Sequence, residues 1–335
     1  MTRTRTRAVR PTAALPLRTA LVLSTVVFLS ACTSSAEIEA DQRAEGAAEA
    51  GATEAVLGVD TSPEQTGRVH TDEDPDAATL VPAAIAEDGR LTVGVAGAGE
   101  PPLGFLADDN ATVVGSEVDI ASLVAESLGL QLDVVNVSWE QWPLGVQSGD
   151  LEAVFSNVGV NSERLQLFDF ATYREGVMAF SARPDSGLSI DEPADIAGLT
   201  IAVSSGTNQE RILLDWNAQN EAAGLETAQL EYYANAADTL LALQSGRIDT
   251  YIGPNPNAVY QQSVGDIEIV GTVNAGWPNT TYVAATSLKG NGLVDAFEAA
   301  LQHVFEDGTY ARTLERWGLP DEAVDEPVVN PAVGS

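Results

Sequence analysis

"VQSGDLEAVF" occupies residues 146–155, and "LQSGRIDTYI" repeats its design at residues 243–252. Each copy reads as a helix end, a Ser-Gly stop, an acidic position and an apolar run of strand length. Both copies fall at the same place in a β-α-β order, so the pair is read as two lobes of like design. Each lobe then presents the carboxyl ends of its strands to a common crevice, which is where open α/β sheets bind ligands.

Outward from the two copies, strand-like and helix-like runs alternate. "RLTVGVA" (90–96) and "QLDVVNV" (131–137) read as strands on either side of the amphipathic helix "SEVDIASLVAESLGL" (116–130). "LTIAVSS" (199–205), "QLEYYAN" (229–235) and "IDTYIGP" (248–254) read as strands around the helices "NQERILLDWNAQN" (208–220) and "AADTLLALQSG" (236–246). This alternation predicts an α/β fold with mostly parallel strands.

The ends of the chain carry a different message. Arg3, Arg5, Arg7, Arg10 and Arg18 precede the apolar run "TALVLSTVVFLSA" (19–31). Such a run is too short to span a bilayer comfortably and has the form of a secretory signal. It ends in "LSAC", which resembles the lipobox of bacterial lipoproteins. That resemblance implies acylation of Cys32, removal of residues 1–31 and a tether to the membrane surface. Cys32 is the only cysteine, so an intrachain disulfide and a Cys-rich metal site are excluded. Residues 32–79 are acidic and lack an apolar period, which predicts a disordered linker. A loose tail is expected over 321–335.

The chain has 335 residues, with 49 Asp+Glu against 16 Lys+Arg and a net charge of −33. Removing residues 1–31 takes away five arginines and no acid, which moves the charge to −38. Nucleic acid is therefore not an expected partner, since phosphate contacts need a basic footprint.

Catalytic signatures are scarce. The two histidines, His70 and His303, lack any metal-protease or triad context. "GVAGAGEPPLG" follows a strand, but Pro101 and Pro102 oppose the helix that a dinucleotide fingerprint needs. No cofactor or metal is expected. Binding features are better. "SSGTN" (204–208) joins a strand to a helix, where free N–H groups attract an anion unless Thr207 or Asn208 merely caps the helix. Arg164 follows the strand "LEAVFSN" after a polar turn, and its planar fork suits a carboxylate. Pairing with Glu163 or Asp169 is the plainer alternative. Trp139, Trp142 and Phe105 are aromatic candidates for either core or ligand wall.

Five stretches together resemble the extracellular solute-binding proteins of ABC importers, in the amino-acid-binding branch (family 3). They are "LVPAAIAEDGRLTVGVAGAGEPPLGF" (80–105), "VVGSEVDIASLVAESLGL" (113–130), "GVQSGDLEAVFSNVGVNSERLQLFDFATY" (145–173), "IAGLTIAVSSGTN" (196–208) and "FEDGTYARTLERWGL" (305–319). The resemblance implies a two-lobed, hinged, type II periplasmic-binding-protein-like fold. Lobe 1 would comprise 80–176 plus 282–320 and lobe 2 residues 177–281. It further implies an extracytoplasmic, membrane-anchored monomer that captures a small carboxylate-bearing solute, foremost a polar amino acid, and delivers it to an ABC permease.

Site residues follow by resemblance, one at a time. Arg164 would grip the ligand's carboxylate, with Ser205, Gly206, Thr207 and Asn208 of the helix start as the second set of donors. Ser156, Asn157 and Gly159 would face the amine, although Gly159 stands where the family usually has Thr. Trp139 and Phe105 would form aromatic walls. The family's usual aspartate for the α-amino group aligns with Pro254, which offers neither carboxylate nor N–H. Asn255 shifted into place, or Glu100 from lobe 1, would substitute; otherwise the ligand is a carboxylate with a differently placed amine or with none. A dehydratase-like enzyme on the same scaffold and a solute sensor remain the alternatives, because a fold does not dictate a function.

Overall fold

The computed structural model describes residues 59–96 and 99–333. The chain enters through α1 (Pro75–Ala78) and α2 (Ala83–Asp88), then builds β1 (Arg90–Val95). Leu91, Val93 and Val95 of β1 are fully buried at alternate positions, as the period of a strand demands. The small hairpin of β2 (Phe105–Leu106) and β3 (Val113–Val114) leads into α3 (Ser116–Ser127). β4 (Gln131–Asn136), α4 (Trp142–Ser148) and β5 (Ala153–Val154) follow, then β6 (Phe168–Glu175).

A single residue, Gly176, separates β6 from β7 (Val177–Ala182) in a second sheet. That sheet is completed by β8 (Thr200–Val203), α5 (Asn208–Ala223), β9 (Gln229–Tyr232), α6 (Ala236–Gln244), β10 (Thr250–Pro254), α7 (Asn255–Val264) and β11 (Glu268–Asn274). β12 (Tyr282–Leu288) returns to the first sheet, and α8 (Leu293–Glu306) and α9 (Thr309–Arg316) pack on α3.

The strand orders are β4-β1-β5-β12-β6 and, reading the second sheet from its β9 edge, β9-β8-β10-β7-β11. Three strands of each are parallel, and the fourth runs antiparallel to both neighbours. The two copies of the opening motif therefore take equivalent places: α4, Gly149 and β5 in one lobe, and α6, Gly246 and β10 in the other. Both glycines have left-handed φ, 81° and 74°, which lets the chain turn sharply from helix to strand. The antiparallel fourth strands, β7 and β12, are the first strands laid down after each crossing between the lobes.

The crossing segments lie side by side. Gly176 N–H donates to the Thr281 carbonyl (2.9 Å), and Ala275 N–H to the Gly176 carbonyl (2.9 Å). A Cβ on Gly176 would sit 3.1 Å from Ala275 Cβ, so a side chain would push these strands apart. Each lobe has its own aromatic core: Phe155 with Tyr173 and Phe297 in one, Phe180 with Trp216 and Trp277 in the other.

Two expectations about the ends are corrected. The linker expected over 32–79 gives way from residue 59 to a segment packed on α3. Val59 and Ala77 are buried, Arg68 pairs with Asp119 (2.7 Å), and His70 bonds Glu126 (2.7 Å). The acidic positions of α3 need these partners, so a polar segment is held by ion pairs rather than by an apolar stripe, and α3 is buried on nearly all sides instead of amphipathic. The signal segment, Cys32 and the rest of the linker lie outside the described residues. The tail expected to be loose also docks. Val328–Asn330 runs along the outer edge of β6, with Thr172 N–H donating to the Val328 carbonyl (3.1 Å) and Asn330 N–H to the Phe170 carbonyl (2.9 Å). It satisfies backbone groups that an edge strand would otherwise expose. No helix among the described residues is long and apolar enough to cross a membrane.

Candidate functional site

A cavity of about 260 Å³ opens between the carboxyl ends of the two sheets, lined by residues of both lobes. Arg164 borders it, on a short 3-10 turn whose first N–H is capped by Asn161 Oδ1 (2.8 Å). Its Nη1 donates to the Gly159 carbonyl (2.7 Å) in its own lobe and its Nη2 to the Gly206 carbonyl (3.0 Å) in the other. The guanidinium carbon lies 5.2 Å from the Trp139 ring centroid and 5.7 Å from that of Trp142. Burial lowers its pKa to about 10, helped by the nearby charge of Arg211 and opposed by Glu163, so it stays cationic at neutral pH.

Neither Glu163 nor Asp169 takes up Arg164 in an ion pair. Asp169 accepts from Gly290 N–H (2.7 Å) and Asn330 Nδ2 (3.0 Å) instead. A guanidinium carries five N–H donors, so two carbonyl bonds leave capacity for an anion.

The helix start opposite is built by Thr207, whose Oγ1 accepts from Glu210 N–H (3.1 Å) while donating to the Ser204 carbonyl (2.7 Å). Ser204, Thr207, Asn208 and Gln209 line the cavity. Ser205 and Gly206 do not: both are exposed, and Gly206 N–H is taken by the Glu210 carboxylate (2.6 Å). The cap consumes the donor that the sequence assigns to the ligand.

Asn208 also explains the missing threonine. Its Nδ2 lies 2.6 Å from where a Cβ on Gly159 would stand, and its Oδ1 accepts from Asn161 Nδ2 (2.9 Å). Space that a threonine would fill is used for a side-chain bond between the lobes.

Ser156 and Asn157 border the cavity, and both also hold groups of their own lobe. Ser156 Oγ accepts from Ala96 N–H (2.8 Å). Asn157 has a left-handed φ of 52°, with its N–H on Glu117 Oε2 (2.6 Å) and its Oδ1 receiving Arg174 Nη2 (2.5 Å). Glu117 and Gln261 are lining residues absent from the sequence reading. Glu117 is one of three acids on α3, with Asp119 and Glu126, and nothing local singles it out. Nothing local marks Gln261.

Glu100 lines the cavity from the loop after β1, and Gln261 Nε2 of α7 donates to its carboxylate. Asn257 Nδ2 donates to the carbonyls of Glu100 (2.5 Å) and Pro101 (3.1 Å). Burial raises the Glu100 pKa to about 7; the Gln261 bond opposes the rise and the charge of Asp266 adds to it. Trp139 lines the cavity as expected, whereas Phe105 does not. Phe105 is buried in the lobe 1 core, edge-on to Trp317 with centroids 6.1 Å apart. Asn255 is also turned away: its Nδ2 reaches Glu322 Oε1 (3.4 Å), while Pro254 faces the cavity.

The model of the bacterial extracellular solute-binding proteins, family 3, matches residues 91–320. Arginine-binding protein ArgT of Corynebacterium glutamicum is 30% identical over 272 residues, which cover 80% of this chain and 87% of that protein. L-cystine-binding protein TcyA of Bacillus subtilis is 29% identical over 237 residues, covering 70% and 83%. Among solved structures, an ancestral arginine-binding protein bound to arginine is similar with a TM-score of 0.60 and 26% identity, covering 68% of this chain and 98% of that one. With two lobes, a shared cavity and a match that spans both sheets, the chain belongs to the bacterial extracellular solute-binding proteins, family 3.

Proposed function

We propose that this chain is the solute-capturing component of an amino-acid ABC importer, acting as a monomer tethered through an acylated Cys32 outside the membrane, and that it passes its ligand to a permease. One observation carries the reading. Arg164 is a half-buried, charged guanidinium on the cavity between two lobes, and no carboxylate of the described residues pairs with it. It suits a ligand carboxylate, together with the α5 helix start at Thr207 and Asn208. Glu100 stands on the same cavity and suits the ligand's cationic group in place of the aspartate that Pro254 has displaced. Trp139 supplies an apolar wall. The relatives named for arginine and cystine binding support an amino acid as solute. The dehydratase alternative loses ground because the family and these relatives are solute-binding proteins.

Calorimetry with L-arginine, L-cystine, L-glutamate and L-glutamine tests the proposal. At least one should bind, and Arg164→Ala should abolish that binding while the melting profile keeps a single cooperative transition. No heat from any of the four, or unchanged affinity in the variant, overturns the assignment.

A further inference from the structure

The family match stops at residue 320, and two residues later Glu322 is 4% exposed within the protein. Its carboxylate does not merely pin the tail. One oxygen receives Arg174 Nη1, and the other lies 3.4 Å from Asn255 Nδ2. Arg174 belongs to β6 of the first lobe and Asn255 opens α7 of the second, so one carboxylate touches both lobes beside the Gly176 crossing.

Arg174 has three acceptors in the described structure: Glu322, Glu117 Oε1 (3.2 Å) and Asn157 Oδ1 (2.5 Å). Glu117 in turn accepts from Asn157 N–H (2.6 Å) and from the Tyr173 hydroxyl (2.5 Å). Arg174 and Glu117 are each 1% exposed, so water does not substitute for a lost partner. A guanidinium is a rigid fork, and three acceptors set its plane. With Glu322 removed, Nη1 loses its acceptor and the fork is free to turn. Asn157 then loses the bond that helps hold its left-handed backbone, and Asn157 and Glu117 both line the ligand cavity.

We propose that Glu322 is a positioning residue for solute capture. From a segment beyond the family match it orients Arg174, and through it the Asn157–Glu117 wall of the cavity, while its second oxygen ties that wall to Asn255 of the other lobe. The tail is thereby a working part of the binding lobe pair. Its backbone bonds to β6 at Val328–Asn330 and the bond from Val324 N–H to the Tyr310 hydroxyl (3.1 Å) set the position from which Glu322 reaches inward.

The inference rests on the solute-capture reading, and its test separates the two. Glu322→Ala, Glu322→Gln and Asn255→Ala are prepared in the full chain, titrated with L-arginine, L-cystine, L-glutamate and L-glutamine, and followed ligand-free by hydrogen exchange of the peptide covering 155–160. Glu322→Ala should weaken binding of whichever probe the native protein takes by roughly tenfold and speed exchange at Asn157–Gly159. Glu322→Gln keeps an acceptor oxygen for Arg174 and should recover slow exchange at that peptide. Asn255→Ala should speed ligand dissociation and leave exchange there unchanged. A role confined to fastening the tail lowers the melting temperature of Glu322→Ala while affinity and local exchange stay native, and that result overturns the proposal. If the native protein takes none of the four probes, the amino-acid reading fails, while exchange at 155–160 still decides the role of Glu322. If Glu322→Ala does not fold, faster exchange in Glu322→Gln than in native protein counts against the acceptor argument.

Discussion

Glu100 gives the sharpest forecast, because its titration lies within easy reach of neutral pH. Burial lifts its pKa from 4.5 to about 7, with Asp266 adding to the rise and Gln261 opposing it; the hydroxyls of Tyr251 and Tyr260 also lie within its electrostatic reach. At 1.36 kcal/mol per pH unit, ionising it in the ligand-free protein costs roughly 3 kcal/mol relative to the unfolded chain. The sign follows from the direction. A carboxyl with a raised folded value holds a proton that the unfolded chain has already lost, so its contribution is complete below pH 4.5 and disappears as pH climbs through 7. Ligand-free protein should therefore melt at lower temperature at pH 8 than at pH 5, by roughly 5 °C or more.

Binding should run the other way. A cationic group on the ligand favours the ionised carboxylate, so affinity should climb with pH by up to about tenfold per unit until Glu100 is fully ionised. From pH 5.5 to 7.5 that amounts to roughly thirtyfold, with proton release visible in calorimetry across buffers of different ionisation enthalpy. Glu100→Gln should flatten both profiles. A native affinity that is level between pH 5.5 and 7.5, or a Gln variant that keeps the native slope, refutes the role given to this side chain.

Other expectations are more direct. Gly159→Thr should weaken solute binding, because the new side chain meets Asn208 Nδ2 and overpacks this contact between the lobes by about 1–3 kcal/mol; Asn208→Ala in the same chain should restore much of the loss, as calorimetry on the pair would read. Deleting residues 327–335 uncovers the outer edge of β6 and should lower stability by about 2 kcal/mol, net of the tail's own ordering entropy, as a denaturant midpoint would measure. Cys32→Ser should shift the protein from the membrane fraction to the soluble one on cell fractionation, and retention with the membrane would exclude lipidation as its tether.

Much of the plan was readable from local pattern. The repeated helix–glycine–strand motif announced two lobes, because a Ser-Gly stop before an apolar run has the same backbone requirement wherever it occurs. Arg164 stood out as a cation after a polar turn in an acidic chain, and the strand–helix junction as a cap formed by Thr207 or Asn208, of which the structure uses Thr207. Both line the cavity. The errors share a cause. Phe105 sits on a two-residue strand whose facing depends on what packs over it, and the core claimed it. Gly206 was read as a donor, but its N–H is taken by Glu210 within the same turn. The flanking segments were read as loose because they lack apolar periodicity, yet ion pairs and backbone bonds dock both of them, and these depend on partners far away in the chain.

By itself, the sequence determined the alternation of strands and helices, the doubling into lobes, a cap at Thr207 or Asn208 and the place of the cation at 164, since each rests on neighbours within a few positions. Only the tertiary structure decided which polar and charged groups meet. Glu100 finds Gln261, Asn161 finds Asn208, and Arg174 gathers Glu117, Asn157 and Glu322. Those pairings join residues from 17 to 161 positions apart, and in an acidic chain many other carboxylates are equally available on paper. Burial selects among them: a charge removed from water keeps its cost unless a partner stands within bonding distance, and folding alone brings that partner there.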